Sequence, residues 1–169
     1  MLLGALPAEV EALLARRCAL GQDLFDEVWE GCYHMAPAPH WRHGIVDAEV
    51  MAVLRPFAKR AGLRPTGPFN LGAPDNYRVP DGGFHRTTSK AAWLTTAEIV
   101  VEVVSPDDET YEKFSFYATR GVVDVVVADP DQRRIHLFAL DSDGYIEVER
   151  SDLLGVSAAE LAAAIDWPA

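Results

Sequence analysis

Cysteine is scarce in this 169-residue sequence: Cys18 and Cys32 are the whole complement. Two thiols make neither a disulfide framework nor a metal knuckle. Nor does any apolar run approach the roughly 20 residues that a helix needs to span a bilayer. The opening MLLGALPAEVEALLARRC is not read as a secretory signal, because Glu9 and Glu11 interrupt its apolar stretch and Arg16 and Arg17 follow that stretch instead of preceding it. A cytoplasmic chain with no membrane partner is expected. Positive charge is also in short supply, with 15 Lys and Arg against 26 Asp and Glu and a formal charge of −11. On its face that balance argues against a partner made of phosphates.

What is present modifies that reading. The acidity is uneven: residues 41–90 sum to +4, while the last 29 residues carry −6. A locally basic face on an acidic protein is therefore possible. The 49% hydrophobic residues suffice for a real core. No repeat, low-complexity tract or Ser/Gly linker interrupts the chain, so residues 1–169 are expected to form a single domain.

Pro7 opens a helix with Val10, Leu13, Leu14 and Leu20 on one face, and Gly21 closes it. The segment LFDEVWEGCYHM reads as a β-hairpin turning at Glu30-Gly31. From His43 to Arg60 the apolar spacing is helical, with Pro56 expected to kink or split the helix. GLRPTGPFNLGAPDN is expected to be a long irregular loop. TAEIVVEVVS is a β-branched run suited to a central strand. A helix should follow, capped by Ser105, opened by Pro106, Asp107 and Asp108 and ended by Gly121, and then the strand VVDVVVADP. Strand, helix and strand in this order predict two parallel strands joined by a right-handed crossover. RRIHLFAL and YIEVER are expected as antiparallel strands, and Ser157 with Glu160 as the capping box of a last helix. The fold class is α/β with a mixed sheet.

Chemistry is expected where charge stands among apolar residues. Glu102 lies in the middle of IVVEVV, where an ionised carboxylate costs several kcal/mol or so unless it is paired, protonated or bound to a cation. The plain alternative is a partly solvated strand end or an arginine partner. Asp81 in NYRVPDGGF is a second acid in extended, apolar-alternating company, although Pro-Asp-Gly-Gly is also an ordinary turn sequence. Lys113 follows Glu102 by eleven residues and belongs to the same strand-helix unit. It either faces solvent or reaches back over the sheet edge. Two carboxylates on adjacent strands can hold a hard cation such as Mg²⁺ or Mn²⁺, and a lysine can orient the attacking water or offset charge in the transition state.

RVPDGGF followed by IVVEVVSPDDETYEKFSFYATRGVVDVVVADP resembles the Uma family of putative restriction endonucleases, a branch of the PD-(D/E)xK nuclease superfamily. The resemblance runs from the DEVWEG hairpin to the IDWP ending. It implies a restriction-endonuclease-like core, a mixed β-sheet flanked by helices, with metal-dependent nuclease activity. Carried over by position, Asp81 and Glu102 are metal ligands and Lys113 is the catalytic lysine. Val104 stands where the superfamily lysine normally lies, and a lysine supplied from a helix is common in this family's pattern. Glu27 matches an acidic position and would add a ligand or water-binding group, with Glu30 beside it. His43, or else His40, matches a family histidine, and His43 and Arg78 are candidates for contact with substrate.

The leading expectation is a Mg²⁺-dependent or Mn²⁺-dependent endonuclease acting on nucleic-acid phosphodiesters, in particular DNA, as a homodimer. A non-catalytic interaction domain that keeps the fold is the alternative, with strands 133–140 and 145–150 pairing to another subunit. Hydrolysis of a small phosphorylated molecule is weaker, since no Gly-rich phosphate loop opens a helix.

Overall fold

The computed structural model describes residues 7–105 and 109–168. Helix α1 (Ala8–Ala19) starts after Pro7 and ends in a turn where Gly21 takes φ 64°. It buries none of its residues, and its apolar Leu13 stays exposed. The expected hairpin follows as β1 (Glu27–Trp29) and β2 (Cys32–His34), with Glu30 and Gly31 at positive φ in the turn. Helix α2 (Trp41–Arg60) begins two residues before the expected start, capped by His40, whose ring accepts from the Arg42 amide. Pro56 does not split it. Pro56 and Ala52, whose carbonyl it leaves without a helical donor, are both exposed, so water can serve that carbonyl.

The expected loop, residues 62–76, instead holds the short strands β3 (Arg64–Thr66) and β4 (Asn70–Ala73) and runs into β5 (Asn76–Arg78), which opens the stretch read as extended. Its glycines and prolines fall mainly in the connections, and the two-residue turn Pro74-Asp75 joins β4 to β5. Pro65 in β3 and Gly72 in β4 are the exceptions, and Gly72 is sterically required. Its φ of 129° and the approach of the Asn76 carbonyl, 2.3 Å from where a Cβ would stand, admit only glycine. Next come β6 (Gly82–His85), β7 (Trp93–Leu94) and β8 (Ile99–Val103).

The expected capped helix is shorter than the sequence pattern indicates. Among the described residues it is one 3₁₀ turn, Thr110–Lys113, that runs into α3 (Phe114–Thr119), with Gly121 at φ 68° after its end. The positions read as its first turn, Pro106, Asp107 and Asp108, lie outside the described residues. Strands β9 (Asp124–Asp129), β10 (Arg134–Asp141) and β11 (Gly144–Val148) follow, then the small pair β12 (Arg150–Ser151) and β13 (Val156–Ser157). Helix α4 (Ala158–Ala164) opens with the expected capping box of Ser157 and Glu160.

The larger sheet has the order β11-β10-β9-β8-β6-β3. Its β8–β9 pair is parallel, as the strand-helix-strand reading requires, and its other pairs are antiparallel. Strand β10 lies inside this sheet, its residues 134–139 paired to β9 and 137–141 to β11, and of the two strands offered for subunit pairing only β11 is an edge. Every residue of β8 is buried, and its alternating side chains feed two cores. Ile99, Val101 and Val103 pack with Val46, Val50 and Leu54 of α2. Val100 faces the other way, with Phe116 and Tyr117 of α3. Glu102 continues the Val100 side. A second sheet, β2-β1-β5-β4-β7, lies on that side, since Leu71 of β4 joins the same core. This is the expected mixed sheet flanked by helices. No described helix is long and apolar enough to cross a membrane.

Candidate active site

A cleft of about 680 Å³ opens where the two sheets and the first turn of α2 meet, and Glu27, His43, Asp81, Glu102 and Lys113 all line it. Glu102 reaches it because the alternation of β8 sends its side chain towards α3. Asp81 reaches it from just before β6: the ladder begins with Gly82 paired to Val101, the neighbour of Glu102, and both acids line the cleft. The Asp81 carboxylate is held from two directions. Oδ2 accepts from the Val103 amide at 2.8 Å, and Oδ1 lies 2.9 Å from Nε2 of His43. The His43 ring is also fixed by Ser105, whose Oγ is 2.9 Å from Nδ1.

Lys113, at the end of the 3₁₀ turn, sends its ammonium over the sheet to lie 3.1 Å from Oε1 of Glu27 and 3.2 Å from Oε1 of Glu102. The same Glu102 oxygen accepts the phenol proton of Tyr117, one helical turn after Lys113. Burial is the largest influence on Glu102 and pushes its pKa up to about 8. Lys113 opposes that rise, whereas the charge of Asp81 adds to it. For Lys113 burial disfavours the charge, but Glu102 and Glu27 together outweigh it and raise the pKa. Among the described lining residues Lys113 is the only lysine or arginine.

Both oxygens of Glu27 are engaged. Oε1 accepts from the Val79 amide at 2.7 Å besides meeting Lys113, and Oε2 accepts from the Trp29 indole at 2.5 Å. Glu27 thus holds the lysine, and like Asp81 it has both oxygens in polar contacts. Glu30 is turned away, pairing with Arg78 at 3.2 Å. His40 lines the cleft as the cap of α2.

Arg78 does not reach the cleft where a substrate would meet it. Its guanidinium is 2% exposed, lies 4.3 Å from the rings of both Trp29 and Phe116, and donates to the Val28 carbonyl at 2.9 Å. A charge in a loop-like sequence gave no sign of this, because the aromatic faces come from two distant segments.

Three residues were not singled out from the sequence. Tyr117 was findable from its four-residue spacing after Lys113. Asp47 follows His43 by the same spacing, and its buried Oδ1 makes no hydrogen bond among the described residues. Burial first, and then the charge of Asp81, push the Asp47 pKa up to about 6. Asp26 supports the cleft wall: it accepts from Arg17, from the Tyr33 phenol at 2.8 Å and from the Ala36 amide at 2.8 Å, tying α1, the hairpin and the segment after it together.

Among the described residues no group of three or more His, Cys, Asp or Glu is placed to cage a metal ion. The donor set still fits a hard divalent cation. Asp81 and Glu102 offer oxygen only, the buried Glu102 carboxylate is short of positive charge, and Mg²⁺ is usually held by one or two carboxylates with water and substrate phosphate completing its shell.

Comparison with known proteins gives the same direction. The family described as Uma2, putative restriction endonuclease, matches residues 16–167. Among solved structures, a putative nuclease belonging to DUF820 from Anabaena variabilis ATCC 29413 superposes with a TM-score of 0.64 at 16% identity, covering 82% of this chain and 90% of that one. No curated protein matches.

Proposed function

The chain belongs to the Uma2 family of putative restriction endonucleases, and on that premise we propose that it hydrolyses phosphodiester bonds of DNA with Mg²⁺ or Mn²⁺. The observation that carries this reading is the meeting of Asp81, Glu102 and Lys113 in one cleft, from three elements separate in sequence. Asp81 and Glu102 would hold the cation, which when bound supplies Lewis-acid polarisation of the phosphoryl group and a more acidic water. Lys113, fixed by Glu27 and Glu102, presents a positive charge to the phosphoryl oxygens, whose negative charge grows in the transition state. His43 holds Asp81 in place by its hydrogen bond, and Tyr117 does the same for Glu102. In the reaction a water oxygen bonds to phosphorus, the P–O bond to one sugar breaks, and a proton ends on the leaving oxygen. Two copies would be needed to cut both strands of a duplex with one site each, which favours a homodimer.

Titration calorimetry with Mn²⁺ should show binding to the wild type and none to Asp81→Ala. Cleavage of a plasmid in Mn²⁺ should be lost in Lys113→Ala. Cleavage that persists in Lys113→Ala, or equal metal binding by both proteins, overturns the assignment.

One observation favours a second reading, a non-catalytic interaction domain on the same fold: α1 buries none of its residues and leaves Leu13 exposed. Absence of cleavage on single-stranded, duplex and branched substrates, together with a stable complex lost on Leu13→Asp, would favour it.

A further inference from the structure

Beside the acidic end of the cleft, the small sheet presents an aromatic one. In the antiparallel pairing of β1 with its neighbours, Glu27 is opposite His34 on β2 and, by the Val28–Tyr77 register, opposite Arg78 on β5. Trp29 is two residues from Glu27 and so shares that face. His34 and Arg78 therefore flank the Trp29 ring from opposite strands. The result is a continuous stack: Phe116, the Arg78 guanidinium 4.3 Å from it, the Trp29 ring 4.3 Å further, and the His34 ring 4.3 Å beyond at an interplanar angle of 19°. The column is anchored in the core, where Phe116 is 5% exposed. It ends at His34, which lines the cleft with its side chain 33% exposed. Glu109 lies beside that ring, with a carboxylate oxygen 3.4 Å from Nδ1.

We propose that the cleft-side face of His34 is a stacking platform for an unpaired nucleobase, so that the site takes single-stranded or locally unpaired nucleic acid in preference to intact duplex. This rests on the nucleic-acid reading of the cleft and narrows its substrate. Two physical reasons support it. First, His34 is the cross-strand partner of Glu27, and Glu27 touches Lys113, so the ring is a neighbour of the reacting end. A phosphate at Lys113 and its own base at His34 are compatible with one nucleotide. Second, the protein carries −11 overall and cannot draw its affinity from neutralising many phosphates. Stacking is the interaction that binds a strand without cations and without regard to sequence, and it requires the base to be free of its partner.

The test is fluorescence anisotropy in EDTA and again in Ca²⁺. The probes are a labelled 12-nucleotide oligo-dT, the same strand with abasic sites throughout, and a 12-base-pair duplex. Wild type should bind oligo-dT at least tenfold more tightly than either other probe. His34→Ala should lose about 5- to 100-fold on oligo-dT, the range of removing one base-stacking ring. His34→Phe keeps a ring but not the Glu109 contact, and should stay within about threefold of wild type. If His34 serves only its ion pair, His34→Phe will be as weak as His34→Ala. That result overturns the proposal, as does equal affinity for duplex and single strand, or oligo-dT binding unchanged in His34→Ala. If wild type binds or cuts duplex while His34→Ala leaves single-strand affinity unchanged, only this inference falls. If wild type binds none of the probes, the nucleic-acid reading of the cleft falls with it.

Discussion

The Lys113 ammonium lies 3.2 Å from the Glu102 carboxylate, across a boundary between helical turn and sheet and eleven residues away in sequence. Both groups are buried; the acids outweigh burial and keep Lys113 charged, whereas Lys113 offsets only part of the burial that lifts the Glu102 pKa to about 8.

Removing the cation from this pair should therefore affect both chemistry and stability. Lys113→Met keeps the aliphatic stem but leaves Glu27 and Glu102 facing each other without a counter-charge. Cleavage should fall by about 100-fold or more, and unfolding in urea should show a loss of about 3 kcal/mol. Adding Glu102→Gln should recover part of the stability and none of the activity. A single variant as stable as wild type would contradict the described pairing.

Asp47 sets a pH dependence whose sign can be worked out. Its folded pKa is raised to about 6 from an ordinary 3.8, mainly by burial, so the folded state holds a proton that the unfolded chain has released between those values. Wild-type stability then falls as pH rises from about 4 to 6 through this group. Asp47→Asn cannot lose that proton. Its melting temperature should exceed that of wild type at pH 7 and match it near pH 3.5. An equal difference at both values would show that the effect is not ionisation.

Asp26 is 1% exposed and accepts hydrogen bonds from three residues. Asp26→Ala leaves the Ala36 amide and the Tyr33 phenol without their acceptor and releases Arg17, at a cost of about 3 kcal/mol. Limited proteolysis should cut the chain near α1 sooner than in wild type. Undiminished resistance there would mean that α1 is held by other contacts.

Two glycines with positive φ should respond differently. Gly72→Ala places a methyl 2.3 Å from the Asn76 carbonyl and close to Phe116, and should cost about 3 kcal/mol. At Gly121, φ 68° with nothing within 4 Å of a new Cβ, the same change should cost about 1 kcal/mol. Melting temperatures of the two variants separate steric crowding from backbone preference.

The legible parts of the sequence were those where one physical rule acted alone. The β-branched runs around Glu102 and Val126 declared two buried parallel strands, and Ser157 with Glu160 declared a helix start. Glu102 stood out as a charge in apolar company, whereas Asp81 and Lys113 also have ordinary turn and surface readings and were joined to it by the family resemblance. The strands at 64–66 and 70–73 were hidden by their brevity and by Pro65, since so few residues carry too little alternation to be distinguished from loop. Arg78 was misjudged because its setting is supplied by Trp29 and Phe116, rings from segments 49 and 38 residues away. Pro56 lies inside a helix that is not split, at an exposed position where water can serve the freed carbonyl.

Val104, just past the end of β8, and Lys113, further along the chain, have a consequence for how the site comes into being. With the ammonium on a different layer from the acids, completing the β6–β8 ladder assembles only anions. The counter-charge arrives when the 3₁₀ turn docks, so the charge balance of the cleft depends on the seam between layers. Anything that loosens that seam by even one helical turn would leave a folded sheet with an intact acidic pair and no catalyst.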